Sequence, residues 1–109
     1  MKRMGMVIGV KPEKLDDYKR LHAAVWPDVL AQIAKSNICS CTIFLREPEN
    51  LLFGCWEYHG TDFKGDMARM AQDPRTQEWW TFTDPCQSPL PSRAEGEQWA
   101  PMIEVFHTD

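Results

Sequence analysis

The chain has 109 residues, 43% of them hydrophobic and 26% charged, which predicts a single folded domain over residues 1–109 and argues against intrinsic disorder. The formal net charge of −4 argues against a nucleic-acid or anionic-membrane partner, because each needs a basic patch. No stretch approaches the roughly 20 apolar residues of a membrane helix. We see no export signal in residues 1–13 and expect a cytoplasmic protein whose four cysteines are reduced.

The first third of the chain predicts a strand followed by a helix. Residues 3–10 are short, apolar and β-leaning, and Lys11-Pro12 closes them. From Pro12 the pattern is that of an amphipathic helix, because residues of one face recur every three to four positions: Leu15, Tyr18, His22, Val25, Val29 and Ile33. Pro27 must kink this helix or begin a new one. Asn37 suits its C-terminal cap.

The remaining elements follow from alternation, periodicity and helix breakers. We predict strands over 38–45 and 51–58, helices over 62–72 and through Trp79, Trp80 and Phe82, a polar loop over 84–98 and a final strand over 101–107. The order β-α-β-β-α-β predicts an α+β fold, the ferredoxin-like plait, whose sheet covers two helices with one face. The other face needs cover, so we expect a homodimer with two sheets packed face to face.

Tyr18 and His22 are the first candidates for chemistry. They are four residues apart, so their side chains project side by side from one helical face that is otherwise apolar. A polar group there needs a partner or a ligand, because an unpaired buried donor costs roughly 1–3 kcal/mol. The pair is therefore either a half-exposed Tyr with a satisfied core His, or an acid/base His with a phenol that orients a substrate.

Trp79 and Trp80 are the second candidates. Adjacent helical residues point about 100° apart, so one helix face cannot bury both indoles. Either both pack in the core or a dimer interface, or one lines a cleft where its flat face suits the C–H-rich face of a sugar or an aromatic ligand.

The cysteines predict no metal site and no cofactor. Cys39 and Cys41 alternate on a strand and are expected on one sheet face. With residue 45 opposite residue 51 in the hairpin, Cys41 would lie opposite Cys55. No Cys-x-x-Cys motif and no close pair of histidines completes a zinc site, so we expect small packing thiols. No Gly-rich phosphate loop is present.

The chain resembles the L-rhamnose mutarotase family of small sugar-anomer isomerases, from the first strand to the C-terminus. Five stretches carry the resemblance: Val10-x-Pro12, Tyr18-x-x-x-His22-x-x-x-Trp26-Pro27, Ile43-x-Leu45 with Asn50-Leu51-Leu52-Phe53-Gly54, Trp79-Trp80-x-x-Thr83-Asp84, and Glu104-Val105-Phe106. The resemblance implies a ferredoxin-like plait that dimerises through its sheets and needs no cofactor.

The resemblance also implies roles for single residues. His22 matches the family's general acid, Tyr18 a substrate contact, and Trp79 and Trp80 the family's Trp-Trp pair. A third family contact is a Tyr on the second strand, where this chain has Cys41. A pocket that lacks the phenol loses a hydrogen-bonding group, which changes the sugar hydroxyl that the pocket recognises. With a changed loop at residues 85–89, this departure favours L-fucose slightly over L-rhamnose; both are 6-deoxy-L-hexoses.

The predicted reaction is mutarotation by general acid/base ring opening and closure. In this hypothesis His22 protonates the ring oxygen, Tyr18 orients a hydroxyl, and the two indoles form a stacking wall. The complementary base stays open between Asp84, a nearby hydroxyl and water. Two other readings stay open: a cofactor-free monooxygenase or haem-handling protein of the same dimeric α/β-barrel fold, and a non-catalytic sugar-binding module.

Overall fold

A curled antiparallel sheet with helices against one face is seen in the computed structural model, which describes residues 1–109. The strands are β1 (Lys2–Val10), β2 (Ile38–Arg46), β3 (Leu51–Tyr58), β4 (Gln87–Ser88) and β5 (Ala100–Met102), and the helices are α1 (Leu15–His22), α2 (Pro27–Lys35), α3 (Phe63–Gln72) and α4 (Pro74–Thr83). The sheet order β2-β3-β1-β4, with β5 also on β1, is that of the ferredoxin-like plait. The predicted fold class is confirmed.

Prolines and short polar side chains set the helix boundaries. Of the two alternatives at Pro27, the structure shows that a new helix begins there, because Trp26 before it is extended (φ −61°, ψ 136°). Asn37 follows α2 with a left-handed φ of 64°, as a residue after a helix end often does. Asp62 and Asp73 cap α3 and α4 by accepting hydrogen bonds from backbone N–H groups.

The core lies between the sheet and α1. Ile8 of β1 pairs with Leu52 of β3, and Leu52 pairs with Leu45 of β2. Ile8 and Leu52 form a buried cluster with Tyr18 of α1, and the partly buried side chains of Leu45 and Trp99 pack against this cluster. The core therefore holds Tyr18 in a fixed position. No helix of the chain is both long enough and apolar enough to cross a bilayer.

The register of the β2–β3 hairpin differs from the prediction by one residue. Leu45 pairs with Leu52, where we expected residue 51. The strand extends to Arg46, which pairs with Leu51, so the connecting loop holds residues 47–50. Asn50, at the end of the loop, takes a left-handed φ of 56° that closes this turn.

A bulge in β2 overturns the predicted placement of the cysteines. Cys39 pairs with Glu57, but the next register pair is Thr42 with Cys55, so Cys41 does not lie opposite Cys55. Ser40 takes a left-handed φ of 53° inside the bulge. Because Cys39 and Thr42 now share a face, Cys41, one residue before Thr42, faces the other side of the sheet.

The predicted final strand over 101–107 is wrong in extent. Strand β5 ends at Met102, and the remaining residues form no strand. Ile103 and Val105 are 88% and 92% exposed. Apolar side chains favour a strand only where another layer covers them, and within one chain nothing covers these. Strand β4 was not predicted, because its two residues are too few to show alternation.

The outer face of the sheet carries a row of apolar side chains across three strands. Val7 pairs with Phe53, and Phe53 pairs with Phe44. Phe44 is 62% exposed. This row alternates with the core row, so it lies on the face away from the helices.

Candidate active site

Helix α1 places Tyr18 and His22 one turn apart, and their rings stack. The ring centroids are 4.2 Å apart at an interplanar angle of 27°. The spacing of four residues puts both side chains on one helix face, as the sequence predicted. Tyr18 is buried and His22 half-buried, so the phenol forms a floor beneath the imidazole.

A hydrogen bond within α1 fixes the tautomer of His22. Its Nδ1 lies 3.0 Å from the backbone oxygen of Tyr18. Because a carbonyl can only accept, Nδ1 carries the proton, and Nε2 of the neutral ring holds the lone pair. Nε2 has no protein partner, and no buried side-chain N or O atom of the chain lacks one, so Nε2 is reached by solvent.

Burial lowers the pKa of His22 below its ordinary value, although the hydrogen bond to the Tyr18 carbonyl acts in the opposite direction. The imidazole is therefore neutral at neutral pH and able to accept a proton at Nε2. Burial also raises the pKa of Tyr18 to about 12, against a hydrogen bond from the Gln87 side chain. The phenol thus keeps its proton and serves as a donor.

Trp79 forms a wall beside the imidazole. Its ring centroid lies 5.4 Å from that of His22, in an edge-to-face arrangement at 70°. Trp79 is buried, yet its indole N–H has no protein acceptor and is not sealed from solvent. The N–H edge of this indole is therefore within reach of solvent.

Trp26 and Phe82 extend the wall, although the sequence analysis gave them no role. Trp26 contacts Trp79 edge to face at 5.2 Å and Phe82 at 5.7 Å. The Arg75 guanidinium covers the other side of Trp26 at 4.2 Å from the ring centroid. The spacing from His22 to Trp26, again four residues, was the available signal in the sequence.

The other two predicted residues are placed differently. Cys41 is exposed on β2, near enough to Tyr18 for a charge on its sulfur to raise the pKa of the phenol. Trp80 is half-buried and contacts none of the aromatic rings around His22. The structure thus gathers Tyr18, His22 and Trp79 through ring contacts, places Cys41 within electrostatic range of the phenol, and leaves Trp80 at the margin.

Gln87 is a further residue at the site that the sequence did not indicate. Strand β4 brings it beside Tyr18, where it is buried, and its Oε1 accepts a hydrogen bond of 3.1 Å from Gln98 Nε2. Asp84, one of the candidate bases, is exposed after α4 and makes no hydrogen bond to His22.

A surface groove of about 470 Å³ lies between α1 and the end of α4, lined among others by Arg20, Leu21 and Phe82. None of the five residues predicted for the site lines it. No cluster of metal-ligating side chains includes His22. The site consists of one solvent-accessible base, one phenol and an indole wall, which suits proton transfer on a small ligand with apolar and hydroxyl surfaces.

The family profile of L-rhamnose mutarotase matches residues 3–108. Over 109 residues, covering 100% of both chains, the protein is 31% identical to the L-rhamnose mutarotase of Oceanobacillus iheyensis and 28% identical to that of Phocaeicola vulgatus.

Two solved structures share the fold over 100% of both chains. The L-rhamnose mutarotase of Formosa agariphila has a TM-score of 0.78 at 20% identity, and the tetracenomycin F2 cyclase of Streptomyces glaucescens one of 0.71 at 14%. At such low identity these two likenesses concern the fold alone. From the profile and the relatives, the chain belongs to the L-rhamnose mutarotase family and is an isomerase that acts on carbohydrates.

Proposed function

We propose that this protein interconverts the α and β anomers of a 6-deoxy-L-hexose pyranose, with His22 as the proton carrier. The observation that supports this most directly is the neutral imidazole, whose Nδ1 proton is held by the Tyr18 carbonyl while Nε2 remains open to solvent. Family membership favours this sugar isomerase over the oxygenase and haem-handling alternatives.

In the proposed reaction, Nε2 of His22 accepts the proton of the anomeric hydroxyl O1. The C1–O5 bond breaks as C1=O1 forms, and the imidazolium returns its proton to the ring oxygen O5. O1 and O5 are bonded to the same carbon, so a single nitrogen can serve both in turn. Rotation about C1–C2 and the reverse transfers close the ring on the other face. This sequence has no net change in protons or electrons.

The neighbouring side chains bind and orient the sugar in this proposal. The Tyr18 hydroxyl donates a hydrogen bond to a sugar oxygen, since its raised pKa keeps it protonated. The exposed edge of Trp79 contacts the C–H-rich face of the ring. Trp80 reaches the sugar from the margin of the wall. Cys41, near the phenol, takes the place where the family resemblance predicts a tyrosine.

The choice between two sugars depends on opposing observations. The curated relatives are named L-rhamnose mutarotases, which makes L-rhamnose the first candidate. Cys41 favours L-fucose, because a pocket without the phenol hydrogen bond reads a different hydroxyl pattern. Replacing Cys41 by Tyr should then raise the rate for L-rhamnose relative to that for L-fucose.

The test is saturation-transfer NMR between the α and β anomeric protons of L-rhamnose, L-fucose and their 6-hydroxy counterparts. We expect anomer exchange above the buffer rate for a 6-deoxy sugar and a loss of at least about 100-fold in His22→Gln. His107→Gln, at an exposed histidine far along the chain, is the matched control. Wild-type exchange in His22→Gln would refute the role of His22, and sugar-dependent thermal stabilisation without exchange would indicate a binding module.

The proposal includes a homodimer in the cytoplasm. Val7, Phe53 and Phe44 form an apolar row on the outer sheet face, where a second copy would bury it against its own row. Ile103 and Val105 next to this sheet are also exposed in one chain. All four cysteines are free thiols, as is usual in a reducing compartment.

A further inference from the structure

Three side chains at the open end of the β2–β3 pair bring a thiol, a carboxylate and an imidazole together. The Cys39 Sγ lies 3.8 Å from Glu57 Oε1, and His59 Nε2 lies 3.0 Å from the same oxygen. All three atoms lie within 4.8 Å of one another. The group is separate from His22, and the proposed function does not use it.

The backbone holds these residues in place. Cys39 and Glu57 are direct partners in the β2–β3 register, so their side chains leave the same face. The His59 N–H donates to the Asn37 carbonyl at 2.8 Å, which fixes the chain beyond β3 beside the start of β2. Ser40, with its left-handed φ, forms the bulge that follows Cys39 and puts Cys41 on the opposite face of the sheet. The arrangement therefore depends on paired backbone as well as on side-chain rotamers.

The distances are close to those between ligands of tetrahedral zinc. Zinc bonds of about 2.3 Å to sulfur and about 2.0–2.2 Å to nitrogen or oxygen put neighbouring ligand atoms roughly 3.4–3.6 Å apart. The observed separations of 3.0 Å and 3.8 Å lie on either side of that range, so a metal ion requires only small side-chain shifts. A thiolate, a carboxylate and a neutral imidazole also balance a divalent charge.

We propose that Cys39, Glu57 and His59 bind a zinc-class divalent cation, with a water molecule in the fourth position. Cys39 comes from β2, Glu57 from β3 and His59 from the residue that directly follows β3, so the ion links the two strands at the end of the sheet. Arg3, which pairs with Glu57 in the sheet register, donates its Nε to Glu104 at 2.8 Å and so binds a carboxylate outside the group. The ion stabilises the fold and takes no part in anomer exchange.

Cobalt(II) titration of the reduced full-length protein tests this assignment. We expect one equivalent per chain to give thiolate-to-cobalt charge-transfer absorption, displaced by zinc, and zinc to raise the melting temperature. Cys39→Ser should abolish the absorption, and His59→Gln should weaken binding by at least about tenfold. Cys55→Ser, at another exposed thiol of the same sheet, is the matched control and should retain it.

Three outcomes would refute the proposed zinc site. The wild type could show no charge-transfer absorption in excess cobalt, the absorption could persist in Cys39→Ser, or it could be lost equally in Cys55→Ser. Because Cys39 and His59 are both exposed, we expect both variants to fold, and circular dichroism checks this. Anomer exchange measured after chelation should be unchanged, so failure of the metal site and failure of the proposed function are distinguishable.

Discussion

The imidazole of His22 lies on the phenol ring of Tyr18 and bonds to the backbone oxygen of that same residue. One residue thus supplies both the surface that desolvates the imidazole and the acceptor that fixes its tautomer. Desolvation lowers the pKa of His22, and the fixed Nδ1 proton leaves the basic lone pair on Nε2. The two effects together produce a base that is ready at neutral pH.

The rate of anomer exchange should depend on pH through this base. Because burial lowers the pKa of His22, the active neutral form persists below the ordinary histidine value of about 6.5. We expect kcat/KM to be constant at neutral pH and to fall on acidification, with a midpoint below that value. NMR exchange rates, corrected for the buffer reaction, measure the profile. A midpoint above the ordinary value would contradict the burial argument.

Substitutions of two buried tyrosines should separate activity from stability. Tyr18→Phe keeps the stacked ring but removes the proposed hydrogen bond to the sugar. A net hydrogen bond of roughly 0.5–1.5 kcal/mol corresponds to a loss of about two- to tenfold in kcat/KM. Tyr58 instead donates to Asp66 at 2.5 Å and accepts from the Asp62 N–H at 3.0 Å.

Tyr58→Phe should therefore lower the melting temperature more than Tyr18→Phe does, while the folded protein keeps its activity. Thermal unfolding and anomer exchange measured on both variants test the pair. Equal losses of activity in the two variants would show that the Tyr18 hydroxyl has no particular role.

Acid should destabilise the protein through Asp66. Its carboxylate accepts hydrogen bonds from Tyr58, Arg69 and Asn37, and the bond from Tyr58 does most to lower its pKa to about 2. The pKa in the folded protein lies below the ordinary value of 3.8, so the stabilisation is complete above that pH and is lost as pH falls towards 2. Melting temperatures between those pH values should fall less steeply in Asp66→Asn than in the wild type.

The exposed residue Asp16 of α1 serves as the control for this measurement. Asp16→Asn should keep the wild-type dependence of melting temperature on pH. A wild-type slope in Asp66→Asn would mean that other groups cause the acid destabilisation.

A charge on the outer face of the sheet should separate the proposed dimer. In Phe44→Glu a carboxylate replaces the most exposed side chain of the apolar row, and burying it against a second copy would cost its hydration. Light scattering should give twice the chain mass for the wild type and the mass of one chain for the variant. Leu30→Glu, at a residue 54% exposed on α2, should leave the mass of the wild type. If Phe44→Glu were still a dimer, the interface would have to lie on another surface of the chain.

Local patterns predicted most of the fold, because each element has its own period and its own breaker. Pro12 marks a helix start that the structure reproduces, and at Pro27, where either a kink or a new helix was predicted, the structure has a new helix. The bulge at Ser40 could not be predicted, since it depends on how β2 meets β3 and not on composition. The extent of the last strand depends on a covering layer that one chain lacks.

In the candidate site, too, local pairs of residues could be predicted and contacts made by tertiary packing could not. Tyr18 and His22 could be paired from their spacing, because the interaction is contained in one helical turn. Gln87 and Trp26 could not be assigned, since only tertiary packing brings β4 to Tyr18 and Trp26 to Trp79. The cluster of Cys39, Glu57 and His59 could not be predicted for a similar reason: Cys39 and Glu57 are 18 residues apart in the sequence, and only the register of β2 with β3 joins them.

The His22 tautomer is set by a carbonyl of its own helix, whereas the wall beside it comes from a helix more than fifty residues further along the chain. Substitutions in α4 can therefore reshape the aromatic wall while the imidazole keeps its proton on Nδ1. The protonation of the ring and the shape of its surroundings are thus encoded by separate segments of the chain, and each can change without the other.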